Sequence, residues 1–339
     1  MFTTTMSRRA LLGAGLAGAV GLTAACRSPQ FGDAEHVLVG GHQLAVGTPF
    51  DAGMMRFAEL VEQMTDGRVL VDVHPNAALG TEPEMFQGLV TGTMDVGIFA
   101  PGSIAEFMPE MSMLSMPFLV TDRGQRDAVL EGDVTERLAD RLRERTGTYP
   151  LTYFGGSYRQ MFFNAPATSL EDVQGRLFRT QPAAVLTDCF AAVGLRPTVV
   201  AYNELYNALA QGVVDGADNE AVFIDSQKFF EPAPHILRTN HEVTIRPLLI
   251  ADTTLADLGS ELADLVIEAG AEAGRYQRDL EEGEDDAMIA ELAEREGLTV
   301  TDADTSAVLD DVHEIWDRYA QQWDAQDLLA DIIDLRPEG

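Results

Sequence analysis

Residues 36–99, HVLVGGHQLAVGTPFDAGMMRFAELVEQMTDGRVLVDVHPNAALGTEPEMFQGLVTGTMDVGIF, decide the fold class. His36–Val46 and Arg68–His74 are rich in strand-forming residues, and Met94–Phe99 is a short apolar run, so all three read as strands. Between the first two, Met54, Phe57, Leu60, Val61 and Met64 recur at helical spacing across Phe50–Met64. A second helix is expected over Thr81–Val90. Thr81 suits its N-cap, and Pro83 falls in the first turn, where a missing N–H breaks no helical bond. The β-α-β-α-β order predicts a largely parallel sheet covered by helices.

Further along, the pattern restarts after a charged helix near Gly124–Thr146. Leu151–Phe154, Arg176–Thr180 and Pro197–Ala201 read as strands; Ala183–Val193, Tyr202–Gly212 and Asn219–Phe230 read as helices. His241–Thr254 is a long β-rich run and a candidate strand for crossing between two lobes. Acidic helices follow near Ser260–Glu294 and Ser306–Gln322. A chain of 339 residues suits two domains better than one, because single cores stop growing near 250–300 residues. The alternative is a single-lobed α/β enzyme.

Charge narrows the partners. The chain carries 55 acidic residues against 23 basic ones, a formal net charge of -32, and Lys228 is its one lysine. Such a surface repels nucleic acid and anionic membranes. It keeps a protein soluble, and it also suits high salt, where screening shortens the repulsion. Cysteine usage excludes a disulfide framework. Cys26 lies at a processing site, leaving Cys189 alone in the body as a buried thiol.

No nucleotide-loop, zinc-protease, nucleophile-elbow or CxxC motif is present, so neither a cofactor nor a metal is expected. The six histidines form no i, i+4 pair. The run Glu281-Glu282-Gly283-Glu284-Asp285-Asp286 reads as a solvated charge run rather than a cation site.

The first thirty residues read as an address. Arg8-Arg9 leads into a Gly/Ala-rich apolar run ending near Leu22, the form of a Tat export signal. Thr23-Ala24-Ala25-Cys26 resembles a lipobox, with Leu22 one position early; ordinary cleavage at the small residues is the other reading. Residues 1–26 are thus a leader and residues 27–35 a polar tether.

From about residue 44 to residue 250 the chain resembles the solute-binding proteins of tripartite ATP-independent periplasmic (TRAP) transporters. The matching segments are Phe57–Val61, Thr65–Val69, His74-Pro75, Leu79-Gly80, Gly92–Val96, Pro109-Glu110 and Met116–Leu119. More specific are Tyr158-Arg159 before Phe163-Asn164, Ser169–Arg179, and Glu204–Asn219. The resemblance implies a two-lobed α/β periplasmic-binding-protein fold, a Venus-flytrap with crossing hinge strands and long helices. Lobe I is expected to comprise residues 36–156 plus 245–284, and lobe II residues 157–244 plus 285–335. It also implies an exported subunit, without enzymatic activity, that captures a small organic carboxylate and delivers it to a membrane permease. A lipid anchor at Cys26 would be its one membrane contact.

Arg179 ends a predicted strand, and open α/β sheets bind ligands beyond the carboxyl ends of their strands. A guanidinium there grips a carboxylate through two parallel N–H···O bonds, the role that the resemblance assigns to Arg179; a surface or structural arginine is the other reading. Arg159 resembles the second pocket arginine, or forms a lobe-stabilising ion pair. Asn219 offers an amide at the start of a helix, or caps it; Asp218 and Glu220 flank it where the family usually has glutamate and proline. Glu82 would accept hydrogen bonds from hydroxyls or an ammonium, or simply favour its helix dipole. Phe99 and Tyr202 are expected as aromatic walls, or as core. Two arginines with Glu82 favour a sugar acid, with a C4 dicarboxylate next. A sensory binding protein and an exported enzyme acting on small acids are the rival functions.

Overall fold

A computed structural model describes Gly32 and residues 34–337. The twin-arginine leader, Cys26 and all but the end of the expected tether lie outside the described residues. The final two tether positions belong to the folded body. The Glu35 N–H donates to the Arg68 carbonyl at 2.9 Å, and the Glu35 carboxylate pairs with the Arg68 guanidinium at 2.8 Å.

The first unit follows the sequence reading: β1 (His36–Gly41), α1 (Pro49–Met64), β2 (Val69–His74), α2 (Glu82–Thr91) and β3 (Val96–Ile98). Thr48 and Thr81 are the N-caps of the two helices, and Glu84 accepts the Thr81 N–H at 2.8 Å to close the start of α2. The charged helix is two helices, α3 (Arg123–Glu131) and α4 (Asp133–Thr146). Gly132 breaks it with an extended backbone. Then come β4 (Thr148–Phe154), β5 (Tyr158–Phe163), β6 (Leu177–Thr180), α5 (Ala184–Ala192), β7 (Arg196–Val199), α6 (Leu205–Ala210) and β8 (Gly216–Glu220). α7 (Ala221–Ser226), β9 (His235–Val243), β10 (Arg246–Ala251), α8 (Asp252–Glu294), β11 (Thr299–Asp302), α9 (Leu309–Gln322) and α10 (Gln326–Asp334) complete the chain.

Two sheets result, ordered β2-β1-β3-β10-β4 and β11-β9-β5-β8-β6-β7. Neither is largely parallel. In the first, β1 runs parallel to β2 and β3, but β10 lies antiparallel between β3 and β4. In the second, β5 runs antiparallel to both β8 and β9. The expected long strand over 241–254 is the reason for the first departure. It divides at Thr244-Ile245, so β9 completes one sheet and β10 enters the other.

The chain crosses between the sheets three times, and the crossings touch. Gly155-Gly156-Ser157 joins β4 to β5, and the Thr244 N–H donates to the Ser157 carbonyl at 2.9 Å. Gly155 has φ +123°, and a Cβ there would lie 1.9 Å from the Thr244 carbonyl oxygen, so only glycine fits. The third crossing is α8, kinked at Gly259, which packs on α1 and β4 as far as Gln277 and on α7 and β11 further along. Its Gln277 side-chain oxygen accepts the Gly155 N–H at 2.8 Å.

The acidic run 281–286 is not a uniformly solvated face. Glu281 and Asp285, four apart on one face of α8, are buried; Asp285 accepts the Tyr158 N–H at 3.0 Å and the Ala221 N–H at 3.1 Å. Their outward neighbours Glu282 and Asp286 pair with Arg126 and Arg123. Helical period decides which carboxylates face in.

The apolar core continues across the sheets. One cluster runs from Phe86 and Met111 through Leu138 to Phe178, Phe190 and Trp316. Cys189 sits in it as a free thiol whose ionisation is pushed up by burial.

Candidate functional site

A cavity of about 230 Å³ opens where the two sheets face each other. From the first sheet's side it is lined by Gln43, Thr81, Glu82, Pro83, Ala100, Ser103 and Arg246. The other wall is Arg159, Arg179, Gln181, Pro182, Val199, Val200, Ala201, Tyr202 and Asn219. Strand direction explains the convergence. β6 and β8 run parallel, so Arg179 and Asn219 reach their carboxyl ends side by side, and antiparallel pairing brings Arg159 opposite Glu220. Across the gap, Glu82 opens α2, and Arg246 starts β10 beyond the carboxyl end of β3. This is the crevice position expected for a ligand of an open α/β sheet.

Five of the six residues expected from sequence therefore line the cavity. Phe99 does not. Its ring is fully buried and packs edge-on against Phe86, 5.4 Å between centroids, because the short β3 turns its side chain toward α2. Asn219 also differs from expectation in its local setting: it lies in β8, and α7 begins two residues later, at Ala221.

The three arginines differ sharply in their partners. Arg159 is nearly saturated. Its Nε donates to Asp218 Oδ2 at 2.7 Å, Nη1 to Glu220 Oε2 at 2.8 Å and to Asn219 Oδ1 at 3.2 Å, and Nη2 to the Asp218 carbonyl at 2.8 Å. Burial opposes its charge, but Asp218 and Glu220 foremost outweigh that and hold the guanidinium above its ordinary value. Asp218 is correspondingly held well below the usual carboxylate range: burial raises it, and Arg159 and His241 more than reverse this.

Arg179 is the opposite case. It is 4% exposed, its Nε donates to the Val200 carbonyl at 3.0 Å, and its guanidinium lies 5.9 Å from the Tyr202 ring centroid. Among the described residues no carboxylate pairs with it. Burial pushes it down to about 10, with Asp218 only partly opposing. A buried cation with free donors is a strong demand for an anion.

Arg246 is intermediate, and the sequence reading missed it. Its Nη1 lies 3.5 Å from Glu82 Oε1 and its Nη2 3.6 Å from Glu220 Oε1, while its buried Nε has no partner among the described residues. The available signal was an arginine inside an otherwise apolar strand run, a position such residues occupy only when paired or functional. Glu82 also accepts the Ala100 N–H at 3.2 Å. Asn219 Nδ2 donates to the Tyr202 hydroxyl at 3.2 Å, and burial pushes that hydroxyl up to about 12.

Residues 40–322 match the family described as bacterial extracellular solute-binding protein, family 7. A solute-binding protein of Sulfitobacter sp. (strain NAS-14.1) is 36% identical over 298 residues, covering 87% of this chain and 90% of that protein. The C4-dicarboxylate-binding periplasmic protein DctP of Rhodobacter capsulatus is 33% identical over 241 residues, 70% of each chain. A crystal structure of a TRAP periplasmic solute-binding protein from Sulfitobacter sp. NAS-14.1, with bound α-D-taluronate, superposes with a TM-score of 0.84. The two share 35% identity, over 88% of this chain and 97% of that one.

Proposed function

Because the chain belongs to the solute-binding proteins of TRAP transporters, we propose that it captures a small organic carboxylate on Arg179 and hands it to a membrane permease. The observation that carries the reading is the Arg179 guanidinium itself, buried in a cavity with no carboxylate partner among the described residues. An entering carboxylate supplies the missing counter-ion and two acceptor oxygens. Asn219, Tyr202 and the last free N–H of Arg159 line the same wall and orient the solute. Glu82 faces them as a hydrogen-bond acceptor for solute hydroxyls.

Capture proceeds by hinge closure. The two sheets, taken with their flanking segments as lobe I (36–156 and 245–284) and lobe II (157–244 and 285–335), rock about the touching crossings at Gly155–Ser157, Thr244-Ile245 and α8. The solute binds one wall first; contacts from the other favour the closed state and exclude water. Sugar acids are the favoured solutes and C4 dicarboxylates the next. The taluronate-bound Sulfitobacter structure and the name of the Rhodobacter relative support both classes. Members of this family are periplasmic. For this chain, export by the Tat route and lipid attachment at Cys26 follow from the leader sequence.

The test is a thermal-shift screen of organic acids on the mature chain, repeated with Arg179→Ala. A hit recovered unchanged after incubation supports binding over catalysis. Losing Arg179 is expected to cost about 3–5 kcal/mol of binding, the range for breaking a buried charge pair. Undiminished affinity in the variant refutes the assignment.

A further inference from the structure

Around the cavity, three guanidiniums, Arg159, Arg179 and Arg246, are balanced by three carboxylates, Glu82, Asp218 and Glu220. The balance is not evenly distributed. All three carboxylates lie against Arg159 and Arg246, so of the three Arg179 alone has no carboxylate partner among the described residues, and the Arg159–Arg246 end of the cavity is already over-supplied with negative charge. Glu242, 3.8 Å from Arg159, is pushed well above the carboxylate range by burial; were it ionised, it would only add to that excess.

Arg246 stands at this negative end with donors to spare. One of its contacts reaches hydrogen-bond distance, at the 3.5 Å limit; its Nη2–Glu220 approach of 3.6 Å does not, and its Nε is buried without a partner among the described residues. Its ring contact is Phe50, 5.1 Å beneath the guanidinium, which fixes the plane of the fork. A group with its charge offset but its N–H bonds unmet recognises neutral acceptors better than a second anion. Glu82 beside it, with Oε1 held by Arg246 and Oε2 by the Ala100 N–H, keeps lone pairs for hydroxyl donors.

We propose that Arg246 and Glu82 form the specificity-determining pair of the site, reading vicinal hydroxyls of a solute that carries one carboxylate, and ranking the C4 dicarboxylates below the sugar acids. The pair rests on the reading that Arg179 holds the carboxylate. A diol matches it chemically: each hydroxyl accepts from the guanidinium and donates to the carboxylate, so both unmet capacities are satisfied together. A second carboxylate at that end would meet Glu82 and Glu220 in a water-poor space, where like charges repel strongly.

Three acids separate charge from hydroxylation: D-glucuronate (one carboxylate, hydroxylated), hexanoate (one carboxylate, no hydroxyl) and succinate (two carboxylates). Calorimetric titration of the mature chain is expected to show D-glucuronate bound at least a hundredfold more tightly than either other acid. Arg246→Met should weaken D-glucuronate thirtyfold or more and leave hexanoate within threefold. Glu82→Gln, which removes one negative charge at constant shape, should narrow the gap between D-glucuronate and succinate at least tenfold. It also serves if Arg246→Met fails to fold. Succinate binding as tightly as D-glucuronate to the unaltered protein overturns the proposal, as does an equal effect of Glu82→Gln on all three acids. If none of the three binds, or if Arg179→Ala binds them unchanged, the carboxylate reading itself fails, which is a different result.

Discussion

Replacing Arg179 by methionine should make the empty protein more stable and the loaded one less so. The ordinary guanidinium value is 12.5, and burial pushes Arg179 down to about 10. At 1.36 kcal/mol per pH unit, keeping it charged in the folded state costs about 3.4 kcal/mol. The sign follows from linkage. The folded value lies below the unfolded one, so the penalty is complete at neutral pH, where both states are protonated, and lifts only as pH rises from about 10 toward 12.5. Methionine keeps most of the stem's bulk and removes the charge. It also forfeits the Nε bond to the Val200 carbonyl, worth about 1 kcal/mol, and leaves that oxygen short of a donor at a similar cost. The expected gain is therefore about 1–2 kcal/mol.

Urea unfolding at pH 7, with and without D-glucuronate, measures both halves. At a hundred times its dissociation constant a solute stabilises the native state by about 2.7 kcal/mol. The unaltered protein should show this gain, while the methionine variant starts higher and gains nothing. A variant destabilised by more than about 1 kcal/mol when empty would mean that Arg179 is a structural residue whose charge is met elsewhere. Retention of the solute-induced gain would dismiss it as the anchor.

Glu281→Gln should stabilise the protein increasingly as pH rises. Burial pushes Glu281 up to about 8 from 4.5, with Glu220 adding to the effect, so native stability falls from about pH 4.5 to pH 8. The variant's advantage should grow by about 2.5 kcal/mol between pH 5 and pH 7 in urea titrations, and a pH-independent difference would contradict it. Association with an anionic solute should accelerate as salt rises, because the net charge of -32 repels it at long range while Arg179 acts at contact. Stopped-flow rates that fall with added salt would refute this balance.

Much of the fold was legible because period and caps agree over residues 36–99. Helix α1 and Thr81 as the N-cap of α2 fall where the spacing places them, and strands β2 and β3 fall within the runs read for them. The errors share one cause: local pattern does not report tertiary pairing. The β-rich run 241–254 has nothing in its composition to show a change of sheet at Thr244-Ile245. Gly216–Glu220, with Asp218, Asn219 and Glu220 in succession, lacks a strand's usual composition. It is held as one by pairing with β5 and β6, and by Arg159 meeting its carboxylates. The acidic run on α8 looked solvated because burial of Glu281 and Asp285 depends on which face meets the hinge, a tertiary fact.

Arginines look alike in a sequence, and here they separate only through their partners. Arg159 holds two carboxylates closely, Arg246 shares two loosely, and Arg179 has none among the described residues. Glu220, where the sequence resemblance implies proline, is the carboxylate common to Arg159 and Arg246. A proline there could supply no charge, and Arg246 would then face the cavity with Glu82 alone to offset it. Of the two departures beside Asn219, the one at Glu220 is thus the one that offsets the second cation. The charge left without a carboxylate partner among the described residues is thereby confined to Arg179, and what remains opposite is hydrogen-bonding capacity.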